Sequence, residues 1–245
     1  MFDSLELKNT SVILNKKKLL SNISLSIKKS EKIAIIGSSG AGKTLLINLL
    51  CLGLKPTSGI VEINSKNFWF DNYSFNKKFR RFMYYVPQTP QLPPRQKVIT
   101  AIHAGFISQW SIFKVIFSLI YPFKKDQVIE VLNDLKLSDK LLEFIENLSG
   151  GQKQAISLAR LFVANPEIMI IDEPLNSVDP SRSDFLMRKI LKYSQLKNST
   201  IICSLHQPFI AKQYFDRIVG VKNGKIFFDH DAQKITKKQI NDLYN

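Results

Sequence analysis

The sequence predicts an α/β fold with a helical insertion, and three observations carry that prediction. Lys32 to Ile36 is apolar after its first residue, runs into a glycine-rich loop and then into the helical repeat Leu45, Leu46, Leu49, Leu50, which reads as a buried strand followed by a helix. Ile168 to Ile171 and Thr200 to Leu205 are two more apolar strands, separated by a helical pattern from Ser181 to Tyr193. Between these segments, Val98 to Glu146 reads as mostly helical. At 245 residues and 44% hydrophobic content the chain is long enough to bury a core, as one large domain or two small ones.

Along the chain, Ser21 to Lys28 alternates as a half-buried strand does, with Ile23, Leu25 and Ile27 on one face. Pro56 to Gly59 closes the first strand–helix unit and Ile60 to Ile63 resumes a strand. Each proline disfavours helix in the residue before it, so Val86 to Pro94 is expected to be an extended loop. The helical stretch is expected to break near Tyr121-Pro122 and Leu137-Ser138. Trp110, Phe113, Phe117 and Ile120 form a stripe at helical spacing, which reads more readily as core packing than as a surface for a partner helix.

Several function classes are excluded early. The most apolar long window, Trp110 to Phe123, is interrupted by Lys114 and Pro122 and falls short of the roughly 18 to 20 residues a membrane span needs. Met1 to Thr10 carries Asp3 and Glu6 and no apolar run of a secretory signal, so the chain is expected to stay in the cytosol. Cys51 and Cys203 lie in apolar patterns and read as reduced core thiols. The 35 Lys and Arg against 20 Asp and Glu favour nucleotide phosphates, nucleic acid or an anionic membrane as contacts. The lysines are scattered rather than blocked, so charge alone selects none of the three.

Gly37, Ser38, Ser39, Gly40, Ala41, Gly42, Lys43 and Thr44 satisfy G-x-x-x-x-G-K-[ST] between a buried strand and a helix. Such a loop wraps phosphates with backbone N–H groups, Lys43 reaches the β and γ oxygens, and the Thr44 hydroxyl binds Mg²⁺. Asp172 and Glu173 end an apolar strand, a position that fits a metal carboxylate and a group that polarises attacking water. Gln88 and His206 each follow a strand expected to neighbour the P-loop strand, where a γ-phosphate sensor belongs, although a lone Gln or His is more often structural. Ser149 and Gln152 form a capping box at a second helix start, where Gly150 and Gly151 cost entropy unless something approaches that backbone closely. His103 and His230 lack such placement, and Asp229-His-Asp231 reads as a turn rather than a metal site.

Taken in order, the P-loop, Gln88, Leu148 to Gln152, Asp172-Glu173, Ser177-Val-Asp179 and His206 resemble the motif set of an ABC-transporter ATPase over nearly the whole chain. The resemblance implies a P-loop NTPase with a RecA-like core, an antiparallel β subdomain and an inserted α-helical subdomain at about residues 89–154, within one domain of residues 1–245. It implies ATP and Mg²⁺, with Glu173, His206 and Gln88 catalytic and Thr44, Gln88 and Asp172 at the metal. Ile13, the P-loop and Asp179 would contact nucleotide, while Ser149, Gly150, Gly151 and Gln152 would cap the γ-phosphate held by a second copy in a head-to-tail homodimer.

Ile102 to Gly105 with the following Trp110-bearing insert, Leu205 to Gln207, and Asp216 to Gly220 with Gly224 to Asp229 look like the phosphonate-importer subfamily, whose relatives also serve phosphite and phosphate. The implied partners are transmembrane permease subunits and, indirectly, a periplasmic or extracellular solute-binding protein, with the chain peripheral on the cytoplasmic face of the inner membrane. Three positions depart from the pattern: Ala155 replaces an arginine, Leu45 a common Ser or Thr, and Ile13 an adenine-stacking aromatic, which predicts weaker adenine discrimination. Import of another solute is one alternative. A nucleic-acid ATPase is another, but the single P-loop and the absence of sustained heptads between Gln88 and Ser149 argue against nucleic acid as a partner. A degenerate regulatory cassette conflicts with the intact Glu173 and His206.

Overall fold

Apolar residues recurring along short extended runs build two sheets in the computed structural model, which describes residues 2–70, 79–110, 124–176 and 178–245. The chain divides into two units, the first Met1–Tyr85, Glu167–Glu173 and Asn198–Asn245, the second Val86–Pro166 and Pro174–Lys197.

The smaller sheet is antiparallel, in the order β2-β1-β4-β5, with β1 at Ser4–Leu14, β2 at Lys17–Lys28, β4 at Ser58–Ile63 and β5 at Lys66–Asn67. Leu5 and Leu7 on β1 meet Ile27 and Leu25 on β2 in register, and all four are buried. The sequence reading assigned no strand to β1. Its pairing with β2 shifts register beyond Leu7, and such irregularities blur the two-residue alternation that marks a strand.

The larger sheet runs β10-β9-β3-β8-β7-β6, with β3 at Lys32–Ile36, β6 at Met83–Val86, β7 at Ile168–Asp172, β8 at Thr200–Leu205, β9 at Arg217–Lys222 and β10 at Lys225–Asp231. β3 pairs in parallel with β8 and β9, and β7 in parallel with β8. Parallel strands need cover on both faces, which is why β3, β7 and β8 read as apolar runs instead of alternating. Ile33, Ile35, Ile170 and Ile202 share one core with Leu46 and Leu49 of helix α1 (Lys43–Leu50). The register sets Ile36 beside Leu205 and Asp172 beside Ser204, so Gly37, Glu173 and His206 follow the C-terminal ends of three neighbouring parallel strands.

The second unit is helical. Helix α2 (Val98–His103), a 3-10 turn at Ala104–Gln109 and α3 (Lys125–Asp134) pack on α4 (Gly150–Ala164), which also meets α5 (Pro180–Gln195). Phe106 stacks on Trp110 at 5.4 Å and Phe162 on Tyr193 at 4.1 Å. Trp110 is thus buried as expected, while Phe113, Phe117, Ile120 and the expected break at Tyr121-Pro122 lie outside the described residues.

Two sequence expectations need correction. Residues 138–147 hold only the short 3-10 turns Ser138–Lys140 and Ile145–Asn147. The amides of Ile145 and Glu146 donate to the carbonyls of Gln96 and Pro94 in the proline loop, which diverts them from any helix. Asp229-His-Asp231 is not a turn but the end of β10: Asp229 pairs with Arg217, His230 stacks on Phe228, and Asp231 pairs with Lys234. Cys51 and Cys203 are free thiols that burial pushes above the usual thiol range. Among the described residues no helix is long and apolar enough to cross a membrane, and no His, Cys, Asp and Glu cluster has metal-site geometry.

Candidate functional site

The loop from β3 to α1 is shaped by close backbone approaches. A Cβ at Gly37 would lie 2.2 Å from the Val221 carbonyl oxygen, so only glycine lets the chain pass β9 there. Gly42 caps α1 at φ 107°, left-handed backbone that a bulkier residue resists. From the other side, the Gly224 amide in the β9–β10 turn donates to the Ala41 carbonyl at 2.9 Å. Helix α1 starts without a side-chain cap and without an acidic residue in its first turn, so its N–H groups and dipole suit an anion.

Lys43 is 4% exposed, and a buried ammonium is tolerable only with partners. Its Nζ donates to the Gly37 carbonyl at 2.9 Å and the Ser38 carbonyl at 3.2 Å, and lies 3.5 Å from both Glu173 Oε1 and His206 Nδ1. His206 Nε2 lies 2.6 Å from the same Glu173 Oε1. With Nδ1 facing an ammonium and Nε2 facing a carboxylate, the neutral imidazole protonated at Nε2 satisfies both contacts.

Glu173 adopts φ 47°, an uncommon left-handed conformation for a side-chain-bearing residue, and is buried. Its amide donates to Ser204 Oγ at 2.9 Å, and the Ser204 hydroxyl in turn donates to Asp172 Oδ1. Burial raises the Asp172 carboxyl above the ordinary range, against the pull of the Ser204 and Thr44 hydroxyls. Asp172 Oδ2 is buried without a hydrogen bond of acceptable geometry. Sequence reasoning gave Ser204 no role. The signal was present, since Ser204 is a hydroxyl in the fully buried strand β8, and such groups need partners.

The first unit therefore brings together Gly37, Ser38, Lys43, Asp172, Glu173 and His206, with Ser39, Gly40, Ala41, Gly42 and Thr44 completing the loop and first turn. Ile13 also lies in this unit, on β1 opposite Lys18, 42% exposed. The other candidates fall in the second unit. Gln88 follows β6, and β6 is the sheet edge, separated from β3 by β7 and β8, so the expectation that its strand neighbours the P-loop strand is corrected. Strand order depends on long-range pairing that local pattern does not encode.

Ser149 caps α4 with both bonds of the capping box made, its hydroxyl accepting from the Gln152 amide and Gln152 Oε1 accepting from the Ser149 amide. Ser149 and Gly150 are exposed, and Gly151 and Gln152 half-buried. Asp179 is the exposed N-cap of α5, capping with its main-chain carbonyl rather than its carboxylate. Ala155 is 2% exposed, so an arginine at this position of α4 would have to force its way into packed surroundings.

Residues 20–176 match the ABC transporter family. The chain is 37% identical over 225 residues to a phosphonates import ATP-binding protein of Pseudomonas syringae pv. tomato, covering 92% of this chain and 85% of that one. A protein of the same name from Cupriavidus necator is 37% identical over 230 residues, covering 94% and 82%. Among solved structures, an ATP-binding cassette described as dimeric, in a post-hydrolysis state bound to ADP and Pi, superposes with a TM-score of 0.81 at 24% identity, covering 94% of this chain and all of that one. The cbiO1 structure from Clostridium perfringens gives 0.79 at 23% identity, covering 98% and 93%. The two structures speak for the cassette fold, and the match over most of the P-loop unit and the helical unit speaks for descent. The chain belongs to the ABC transporter family, as an ATP-binding cassette.

Proposed function

We propose that this chain is the ATP-hydrolysing subunit of an importer for phosphonates or related phosphorus oxyanions such as phosphite and phosphate. The observation that carries the hydrolytic reading is the buried Glu173 carboxylate, 2.6 Å from His206 Nε2 and 3.5 Å from Lys43 Nζ at the C-terminal end of the strands from which the P-loop leaves. The solute class is supported by the 37% identity to proteins named for phosphonate import.

In this reading the amides of Gly37 to Thr44 wrap the ATP phosphates, and Lys43 exchanges the Gly37 and Ser38 carbonyls for phosphate oxygens. Ile13 offers adenine an apolar contact. Glu173 accepts a proton from water as its oxygen bonds to the γ-phosphorus, the bridging P–O bond breaks, and ADP leaves. The His206 Nε2–H holds the Glu173 carboxylate in place for that transfer.

The buried Asp172 Oδ2, which makes no hydrogen bond of acceptable geometry, suits a hard cation, and the oxygens of Asp172, Thr44 and Gln88 are donors of the kind that would hold Mg²⁺. When bound, Mg²⁺ would neutralise charge on the phosphate oxygens. Ser149, Gly150, Gly151 and Gln152 would close over ATP held by a second copy, making a head-to-tail homodimer, and Asp179 would contact nucleotide. The whole chain would act as one ATPase domain whose helical subdomain, about residues 89–154, presents itself with the Gln88 loop to permease subunits. That arrangement places the chain peripherally on the cytoplasmic face of the membrane, with solute choice left to a partner binding protein and no nucleic acid involved.

Glu173→Gln tests the reading. ATP hydrolysis and cellular uptake of an alkylphosphonate are expected to fall together by about 10²-fold or more, with ATP binding retained. Unchanged turnover removes Glu173 from the mechanism, and phosphonate uptake that does not depend on this chain removes the solute class.

A further inference from the structure

Helix α6 (Lys237–Tyr244) has no part in any of the motifs above, yet it reaches the main chain of His206. The Tyr244 hydroxyl donates to the backbone carbonyl of His206 at 3.0 Å. The same hydroxyl faces the amide of Gly37: burial raises its pKa above the ordinary phenol value, against the pull of that amide. One phenol thus touches the first glycine of the P-loop and the main chain of His206. The helix that carries it is well fixed. Thr236 and Gln239 complete a capping box, Leu243 is buried, and Lys222 on β9 donates to the Asp242 carbonyl.

The position of His206 needs such a brace. Its side chain is 42% exposed, so packing restrains the imidazole weakly, and where Nε2 falls depends on where the backbone holds its Cα. The 2.6 Å contact to Glu173 does not survive a displacement of about 1 Å, because a hydrogen bond weakens steeply beyond its normal range. We propose that Tyr244 is a positioning residue for hydrolysis, holding the His206 carbonyl so that the imidazole meets Glu173. This inference rests on the ATPase reading of the site.

Tyr244→Phe in the full chain keeps the ring and removes the hydroxyl. It is expected to lower kcat roughly 3- to 10-fold, the scale of one lost hydrogen bond, with KM for ATP within about two-fold and ATP binding kept. In a His206→Ala background, followed by single-turnover hydrolysis, the same substitution is expected to change the rate by less than about 1.5-fold, because it acts through a side chain no longer there. A purely structural role for Tyr244 predicts equal fractional losses in both backgrounds together with a lower melting temperature, and that outcome overturns the proposal. So does a wild-type kcat in Tyr244→Phe when Glu173→Gln abolishes turnover. If Glu173→Gln also keeps full turnover, it is the ATPase reading that fails.

Discussion

Each unit starts a helix at a glycine-bearing turn, and the two turns are settled in opposite ways. At α1 the cap is Gly42, which brings no side-chain capping bond, and the polar groups of Lys43, Glu173 and His206 are crowded together within the same unit. At α4 the cap is Ser149, the capping box is complete, and the turn faces outward. The carboxylates follow the same division. Burial raises the Asp172 carboxyl, whose Oδ2 makes no hydrogen bond of acceptable geometry, whereas Asp134 accepts from Lys192, Lys189 and Tyr193 and sits below the usual range. Polar groups held against their preference mark where binding energy is reserved for something else. By that measure the first unit holds a site in itself. The α4 turn is already satisfied as a helix start, so under the proposed function Gly150 and Gly151 would serve a ligand that arrives from outside the unit.

The largest expected effect tests whether that ligand is carried by a second copy. Lys43→Ala and Ser149→Arg, purified separately, should each lose about 10²-fold or more in hydrolysis. Mixed in equal amounts and allowed to exchange, half the dimers are mixed and each of these has one intact composite site, so activity should recover to about a quarter of wild type. Absence of recovery, or full activity in a strict monomer, would break the contrast between a self-contained turn and one that waits for a partner.

What was legible in the sequence divides along similar lines. The P-loop and the α4 turn were read correctly as strand-to-helix and helix starts because glycine spacing and the Ser149–Gln152 pairing are local, within a single turn of chain. The parallel strands β3, β7 and β8 were legible from unbroken apolar runs. Ser204 was not given its role because the bond to Asp172 exists only through the β7–β8 register, 32 residues apart. Tyr244 was missed for a stronger form of the same reason, since it meets His206 across 38 residues from a helix with an ordinary amphipathic pattern. Asp229-His-Asp231 was misread because three polar residues suggest a turn until Arg217 is seen across the hairpin.

An intermediate effect separates strain from function at Asp172. Because burial raises its folded pKa above the unfolded value, the folded chain binds the proton more tightly, and ionisation costs stability as pH rises from the ordinary carboxylate value through the folded one. Asp172→Asn should therefore melt higher than wild type at pH 7 without nucleotide, with the difference closing toward pH 4, while Mg²⁺-dependent hydrolysis falls. Paired melting curves and Mg²⁺ titrations of ATPase rate check both halves. A variant that melts lower at pH 7 would mean that Asp172 is held comfortably and the contrast with Asp134 is unfounded.

The smallest effect is expected at Asp134 itself, and it runs the other way in pH. Its folded pKa is depressed chiefly by Lys192, with Lys189 and Tyr193 adding to the pull, so its contribution to stability is present above the unfolded value and lost as pH falls through the folded one. The carboxylate is 25% exposed and Lys192 is 54% exposed, which screens the pair, so Asp134→Asn should cost no more than about 1 kcal/mol, a shift of roughly 2 to 4 °C at pH 7. At acidic pH, below the depressed value, wild type and variant should melt together. ATP turnover should be unaffected throughout, because Asp134 ties α3 to α5 through Lys189, Lys192 and Tyr193, none of them a candidate site residue. Were Asp134→Asn to lower turnover as Asp172→Asn does, a relaxed, locally paired carboxylate would be as tightly bound to the chemistry as a strained one, and strain would no longer distinguish the two units.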